Sequence, residues 1–226
     1  MSASESEQGA RGLRLVFVLL GLTVVSGLID AVSYLGLGHV FTANMTGNVV
    51  VLGFAAAGAP GFSVPHTATS LVCFLLGAVA GGRVTRWLGD GPKRTWARLT
   101  LAAEAVLVGG AAAAAFAAPH AAATRYAVIG LTAVAMGLRN ATVRKLDVPG
   151  LTTTTVLTMT LTGLAADSRA GGGSGRRSPR RSAAVVAMAV GAWLGAWLVL
   201  HHGLGIPLLV AAGTAGVLAV VASGRE

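Results

Sequence analysis

A chain of 226 residues, 54% of them hydrophobic and only 11% charged, with mean hydropathy +0.73, excludes a sizeable water-soluble domain. Such domains carry about 25% charged residues. Apolar runs of about 20 residues instead make the chain an all-α polytopic membrane protein. The net charge of +9 does not point to nucleic acid. The basic residues lie between apolar runs, where they orient helices beside anionic headgroups, and no basic–aromatic platform accompanies them.

Residues 1–12 are polar and lack the pattern of a cleaved signal peptide, so the first apolar run is expected to be retained. Helix one is expected from about Leu13 to Leu35, with Arg11 and Arg14 around its start and Asp30 near its far end. Gly36-Leu37-Gly38 breaks it. A second apolar piece, about Asn44–Gly58, barely reaches across a hydrocarbon core of about 30 Å. A third run, about His66–Trp87, ends in Arg83 and Arg86, and its lone Cys73 reads as a small buried apolar side chain. After a basic loop, a fourth run covers about Ala97–Ala118 and carries Glu104, expected to snorkel toward that loop. A fifth, about Ala123–Val143, ends at Arg144-Lys145, and the Thr-rich piece Thr152–Ala166 is again short. Residues 168–182 form an Arg/Gly-rich segment expected to be a flexible cytoplasmic linker. Runs at about Ala183–His201 and Ile206–Ser223 complete the membrane part, leaving a tail of 224–226.

The stretch Gly27–Gly53, GLIDAVSYLGLGHVFTANMTGNVVVLG, returns in diverged form at Gly137–Ala165. Gly27-Leu28-x-Asp30-Ala31 matches Gly137-Leu138-x-Asn140-Ala141 at an offset of 110, and Gly77-Ala78-x-x-Gly81 matches Gly191-Ala192-x-x-Gly195 at an offset of 114. With two residues inserted, Thr42 and Thr46 fall on Thr154 and Thr158. Three matches in order imply duplication, with repeats at 13–118 and 119–223. If all eight apolar pieces crossed, the basic clusters at 83–98 and 169–181 would lie on opposite sides, against the positive-inside rule. If both short Thr-rich pieces are re-entrant or broken helices, six spans remain, both termini are cytoplasmic, and the repeats are inverted.

Polar side chains at membrane depth must face protein or water. Asp30, Asn44, Thr46, Asn48, Arg139, Asn140, Thr154 and Thr158 are the candidate substrate-binding residues, lining a meeting point of two half-helices. Helix N-termini there would favour anions or carbonyl oxygens. Pseudo-symmetry also suggests a buried Asp30–Arg139 ion pair. The competing reading is that the threonines bond carbonyls in their own helices or hold helices together. Nothing resembles a nucleophile–base set, a metal motif or a phosphate loop, so neither enzymatic activity nor a cofactor is expected.

GLIDAVSYLGLGHVFTANMTGNVVVLG, with the later AMGLRNATVRKL and TTTTVLTMTLTGLAADS, resembles the YoaK-type family of bacterial inner-membrane proteins, described as a domain of unknown function. The resemblance spans most of residues 14–223, although that family tends to have Gln where this chain has Arg139. It implies a multi-pass protein of about six spans in the bacterial cell membrane and carries over no substrate or catalytic residue. The expectation is a small-solute permease or channel whose partners are the bilayer and a small solute. The alternative is a non-transporting scaffold or regulator.

Overall fold

The computed structural model describes residues 3–87, 93–146, 157–173 and 178–222, and among them every regular element is a helix. These are α1 (Ala3–Gly36), α2 (Met45–Ala56), α3 (Val64–Trp87), α4 (Lys93–Ala117), α5 (Ala122–Leu146), α6 (Leu157–Ala166), α7 (Ser178–His202) and α8 (Gly205–Val221). Five of them, α1, α3, α4, α5 and α7, are long and apolar enough to cross a membrane. α8 has 17 residues, a length of about 25 Å at about 1.5 Å per residue, at the lower limit for a span. α2 and α6, at 12 and 10 residues, are shorter than the hydrocarbon core.

Direction follows from which residues touch. Gly191 lies on Val24 and Gly195 on Leu28, so α1 and α7 run parallel; Gly77 on Val134 and Gly81 on Leu138 make α3 and α5 parallel. Glu104 meets Arg139 while Thr100 meets Thr142, so α4 opposes α5. Gly21 faces Leu218 and Gly36 faces Leu204, so α8 opposes α1; Gly205 faces Phe116 and Gly216 faces Ala105, so it opposes α4 too. The six longer helices therefore alternate in chain order, and α2 and α6 leave that alternation undisturbed. Arg86, Arg144 and Lys145 gather at one end, where Lys145 lies 5.1 Å over the Trp96 ring. His39 and His66 mark the other end, with His66 edge-on to Tyr126.

The two parallel crossings correspond residue by residue. A Cβ on Gly27 would meet Met188 O and Ala192 N, and one on Gly137 would meet Phe74 O and Ala78 N, the amide nitrogen at 2.8 Å in both cases. Val24 and Val134, and Leu28 and Leu138, obey the offset of 110, while Phe74 and Met188, and Ala78 and Ala192, obey the offset of 114. In each crossing the first helix of one half packs on a helix of the other half. Backbones approach this closely only where no side chain stands between them, which is the packing role of small residues in membrane helices.

One continuous core joins Val25, Leu28, Ile29 and Val32 of α1 to Val108, Ala111 and Ala115 of α4, Val128, Ile129 and Met136 of α5, and Leu208 and Ala211 of α8. Val72, Leu75, Leu76 and Val79 of α3, and Val186, Val190 and Trp193 of α7, point outward. Apolar surface of that extent suits a helix that faces lipid. α7 begins at Ser178, so Arg180 and Arg181 belong to its first turn rather than to a flexible linker. Pro179 is tolerated there because a first-turn N–H needs no intrahelical partner. Arg181 donates to Gly163 O at 2.6 Å and pairs with Asp167, tying α6 to α7.

Candidate functional site

After α1 the chain turns back on itself. Gly38 and His39 have φ of 89° and 58°, left-handed values that glycine takes freely and other residues seldom. Their reversal sends residues 40–44 back along α1 toward Asp30. Asp30 Oδ1 accepts the N–H groups of Thr42, Ala43 and Asn44 at 3.2, 2.8 and 3.3 Å. Asn44 Oδ1 then accepts Gly47 N–H at 3.2 Å as the N-cap of α2. The start of a helix carries orphan donors and partial positive charge, and the Asp30 carboxylate stabilises the N–H groups leading into it. Past α2 the chain returns to its starting level, where His39 Nδ1 donates to Gly61 O at 3.0 Å.

Asp30→Ala is expected to cost about 1.5–3 kcal/mol, because it strips three N–H groups of a charged acceptor. Asp30→Asn, which keeps an oxygen at Oδ1, should cost clearly less. Melting followed by tryptophan fluorescence in detergent measures both, and equal losses would show that the oxygen at this position is not what holds the loop.

Asn48 does not line the site. Its Nδ2 donates to Phe41 O at 2.6 Å and Ser70 Oγ at 3.1 Å, and its Oδ1 accepts Phe41 N–H at 2.9 Å. Ser70 Oγ also donates to Phe41 O, at 2.6 Å. A buried amide needs several partners, and Asn48 spends its groups stitching the loop to α2 and α3. Thr42 is likewise fully buried, with no partner for its Oγ1 among the described residues.

The expected Asp30–Arg139 ion pair is not what forms. Arg139 Nη1 donates to Glu104 Oε1 at 3.0 Å and to Leu22 O at 3.3 Å, and its Nη2 donates to Ser26 Oγ. Asp30 is taken by backbone donors that Arg139 cannot displace without exposing the entry to α2. Glu104 does not snorkel either. It is 0% exposed, and α4 begins at Lys93 rather than near Ala97. That places Glu104 about three turns inside the helix, too deep for a glutamate to reach water.

Asp30, Asn44, Thr46, Arg139, Asn140 and Thr158 all line one cavity of about 340 Å3. Its other walls are Leu19, Leu22, Thr23, Ser26, Ala43, Gly47, Val50, Val143, Leu157 and Met188. The first residues of α2 and of α6 therefore face the same space, between α1 and α5. Thr154 lies outside the described residues, as does Thr155. Three positions at the cavity carry no signal that the sequence reading used: Thr23 and Ser26 on its wall, and Glu104 behind it. The first two were signalled by spacing, since 23, 26 and 30 share one face of a helix.

The pattern of residues and packing can be set against known families. The model of a family described as "Protein of unknown function (DUF1275)" matches residues 18–221. The chain belongs to the DUF1275 family. The UPF0700 transmembrane protein YoaK of Bacillus subtilis (strain 168) is 34% identical to it over 149 residues, 65% of this chain and 64% of that protein. The match thus spans a little less than two thirds of that relative's length. No solved structure matches the chain. With five helices able to cross a membrane and a transmembrane relative, this DUF1275 chain is a membrane protein, and its buried polar groups must serve a membrane setting.

Proposed function

We propose that this DUF1275 protein is a small-solute permease or channel of the bacterial cell membrane, with the cavity between α1, α2, α5 and α6 as its polar site. One observation carries the reading: two short helices that cannot span a bilayer point their N-termini into one polar cavity between the halves. Broken helices whose ends meet substrate near the midplane are a recurrent transporter design. Non-helical backbone at that depth is tolerated only where protein or a wet cavity receives it.

Inverted repeats of three spans each, with α2 and α6 re-entrant, are part of the proposal. In support, α1 opposes α5, its counterpart by sequence, and the contact of His39 with Gly61 brings both ends of the α2 segment to one level. The basic ends of α3 and α5 share a side with the N-terminal end of α1, which under the positive-inside rule is the cytoplasm. Both termini then lie inside.

Cys73 is the single cysteine, so Cys73→Ser gives a clean background for thiol labelling. In sealed vesicles, His39→Cys and Pro60→Cys should react from the same side of the membrane, and labelling from opposite sides would remove the re-entrant topology. Thr46→Cys, on the cavity wall, should react with a small charged thiol reagent, and that reaction should stop solute flux in proteoliposomes. An unreactive Thr46→Cys together with an absence of flux across a panel of ions and metabolites would leave a sealed scaffold instead.

A further inference from the structure

The charges on and behind the cavity wall are unequally satisfied. Arg139 is 3% exposed, yet its side chain is part of the wall. Behind it Glu104 is completely buried and bonded to Arg139 through Oε1, while Oε2 has no hydrogen-bond partner among the described residues. A buried carboxylate whose second oxygen accepts nothing is costly, and one ion pair does not offset the desolvation of both charges. Asp30, the other charge on the wall, already has Oδ1 held by three N–H groups. Arg139 is therefore the cation on this wall that a ligand could engage, and the Glu104 carboxylate is its ionic competitor, beside the neutral acceptors Leu22 O and Ser26 Oγ.

Deepening the permease reading and resting on it, we propose that the site takes a small monovalent carboxylate together with one proton, the proton residing on Glu104. The step balances. A proton from bulk solvent joins the Glu104 carboxylate, which becomes neutral and leaves Arg139 as an uncompensated cation, and the guanidinium, still bonded to Leu22 O and Ser26 Oγ, receives the incoming carboxylate. Anion and proton enter together, so the buried charge is unchanged. The planar guanidinium fork matches a two-oxygen anion. Two helix N-termini add favourable potential, and the carboxyl group of Asp30 on the same wall disfavours a dianion. Among the described residues, Arg139 is the charged group bonded to Glu104. Of the helices packed on α4, α8 carries no ionisable side chain, and α5 presents Arg139, with Arg144 exposed and Lys145 over Trp96 at one end and Arg125 at the other; α1, which bonds Arg139 through Leu22 and Ser26, carries Asp30 on the cavity wall. On α4 itself Arg98 is exposed.

Acetate is the probe, with chloride at equal ionic strength as reference and sulfate as the dianion control. Binding to the purified full chain is read as the ligand-dependent rise in melting temperature, and flux is read separately in proteoliposomes. For the wild type, apparent acetate affinity should strengthen as pH falls, by at most about tenfold per pH unit for one linked proton. Glu104→Gln, a mimic of the protonated acid, should bind acetate with little pH dependence, and Arg139→Gln should lose the acetate response. Should Arg139→Gln fail to fold, the wild-type pH series and Glu104→Gln decide. Acetate affinity in the wild type that is flat with pH, or equal to that for chloride or sulfate, overturns the proposal. So does pH dependence that persists unchanged in Glu104→Gln. Acetate binding without flux would remove the permease reading and keep the site, whereas flux of neutral solutes without acetate binding would do the reverse.

Discussion

Arg139→Met is expected to lower stability by about 3–5 kcal/mol, and adding Glu104→Leu to restore most of the loss. The single change leaves the Glu104 carboxylate completely buried on α4 without the counter-charge that α5 supplies. Breaking one side of a buried ion pair carries a penalty of that size, whereas replacing the whole pair by apolar groups of similar volume is often neutral or stabilising. Ser26 Oγ and Leu22 O also lose their donor in Arg139→Met, so restoration should stop short of the wild type by about 1 kcal/mol. A double-mutant cycle on melting curves, with Glu104→Leu alone as its fourth corner, isolates the pair. Losses that simply add would mean that Arg139 and Glu104 do not recognise one another. The same cycle separates stability from function: the apolar double variant should fold, yet its cavity wall has lost its cation and should carry no anion.

How far the site was legible depended on which physical signal each residue leaves. Apolar run length marked the apolar stretch of each described helix, because burial in lipid demands length and little else, but not the polar start of α1, which begins at Ala3 rather than near Leu13. The Gly36-Leu37-Gly38 break is where α1 ends. The cavity lining was legible at Asp30, Asn44, Thr46, Arg139, Asn140 and Thr158, since polar groups placed together in an apolar context must converge on something. Partnership was not legible. Arg139 has polar candidates on both α1 and α4, and the choice between them depends on helix rotation, which a sequence period does not fix to better than a neighbouring position. Asn48 looked like Asn44 by type and by spacing. It differs because the loop carbonyl of Phe41 and the Ser70 hydroxyl fall beside it, and both contacts depend on a chain reversal written only in Gly38 and His39. The first turn of α7 was hidden by composition, because arginine and serine beside a glycine run read as linker until Arg181 finds Asp167 and Gly163.

Gly77→Leu and Gly191→Leu should each prevent folding or lower stability by more than about 3 kcal/mol, and by similar amounts. A Cβ at either position would fall on a backbone carbonyl, Val134 O for the first and Val24 O for the second. A carbonyl in a packed helix cannot swing aside as a side chain can, so the helices themselves must separate. Extra methylenes in a tight core already cost about 1–3 kcal/mol where only side chains move. Gly213→Ala is the control. A Cβ there meets nothing within 4 Å, and removing a helical glycine should be neutral or gain up to about 1 kcal/mol. Melting temperatures of the three variants in one detergent make the comparison. α1 and α5, which wall the cavity, are each clamped by one of these crossings, so separating either pair also widens the site. Unequal losses, with one crossing tolerant, would mean that the halves are not mechanically equivalent, and would place the more easily moved wall of the cavity on the tolerant side.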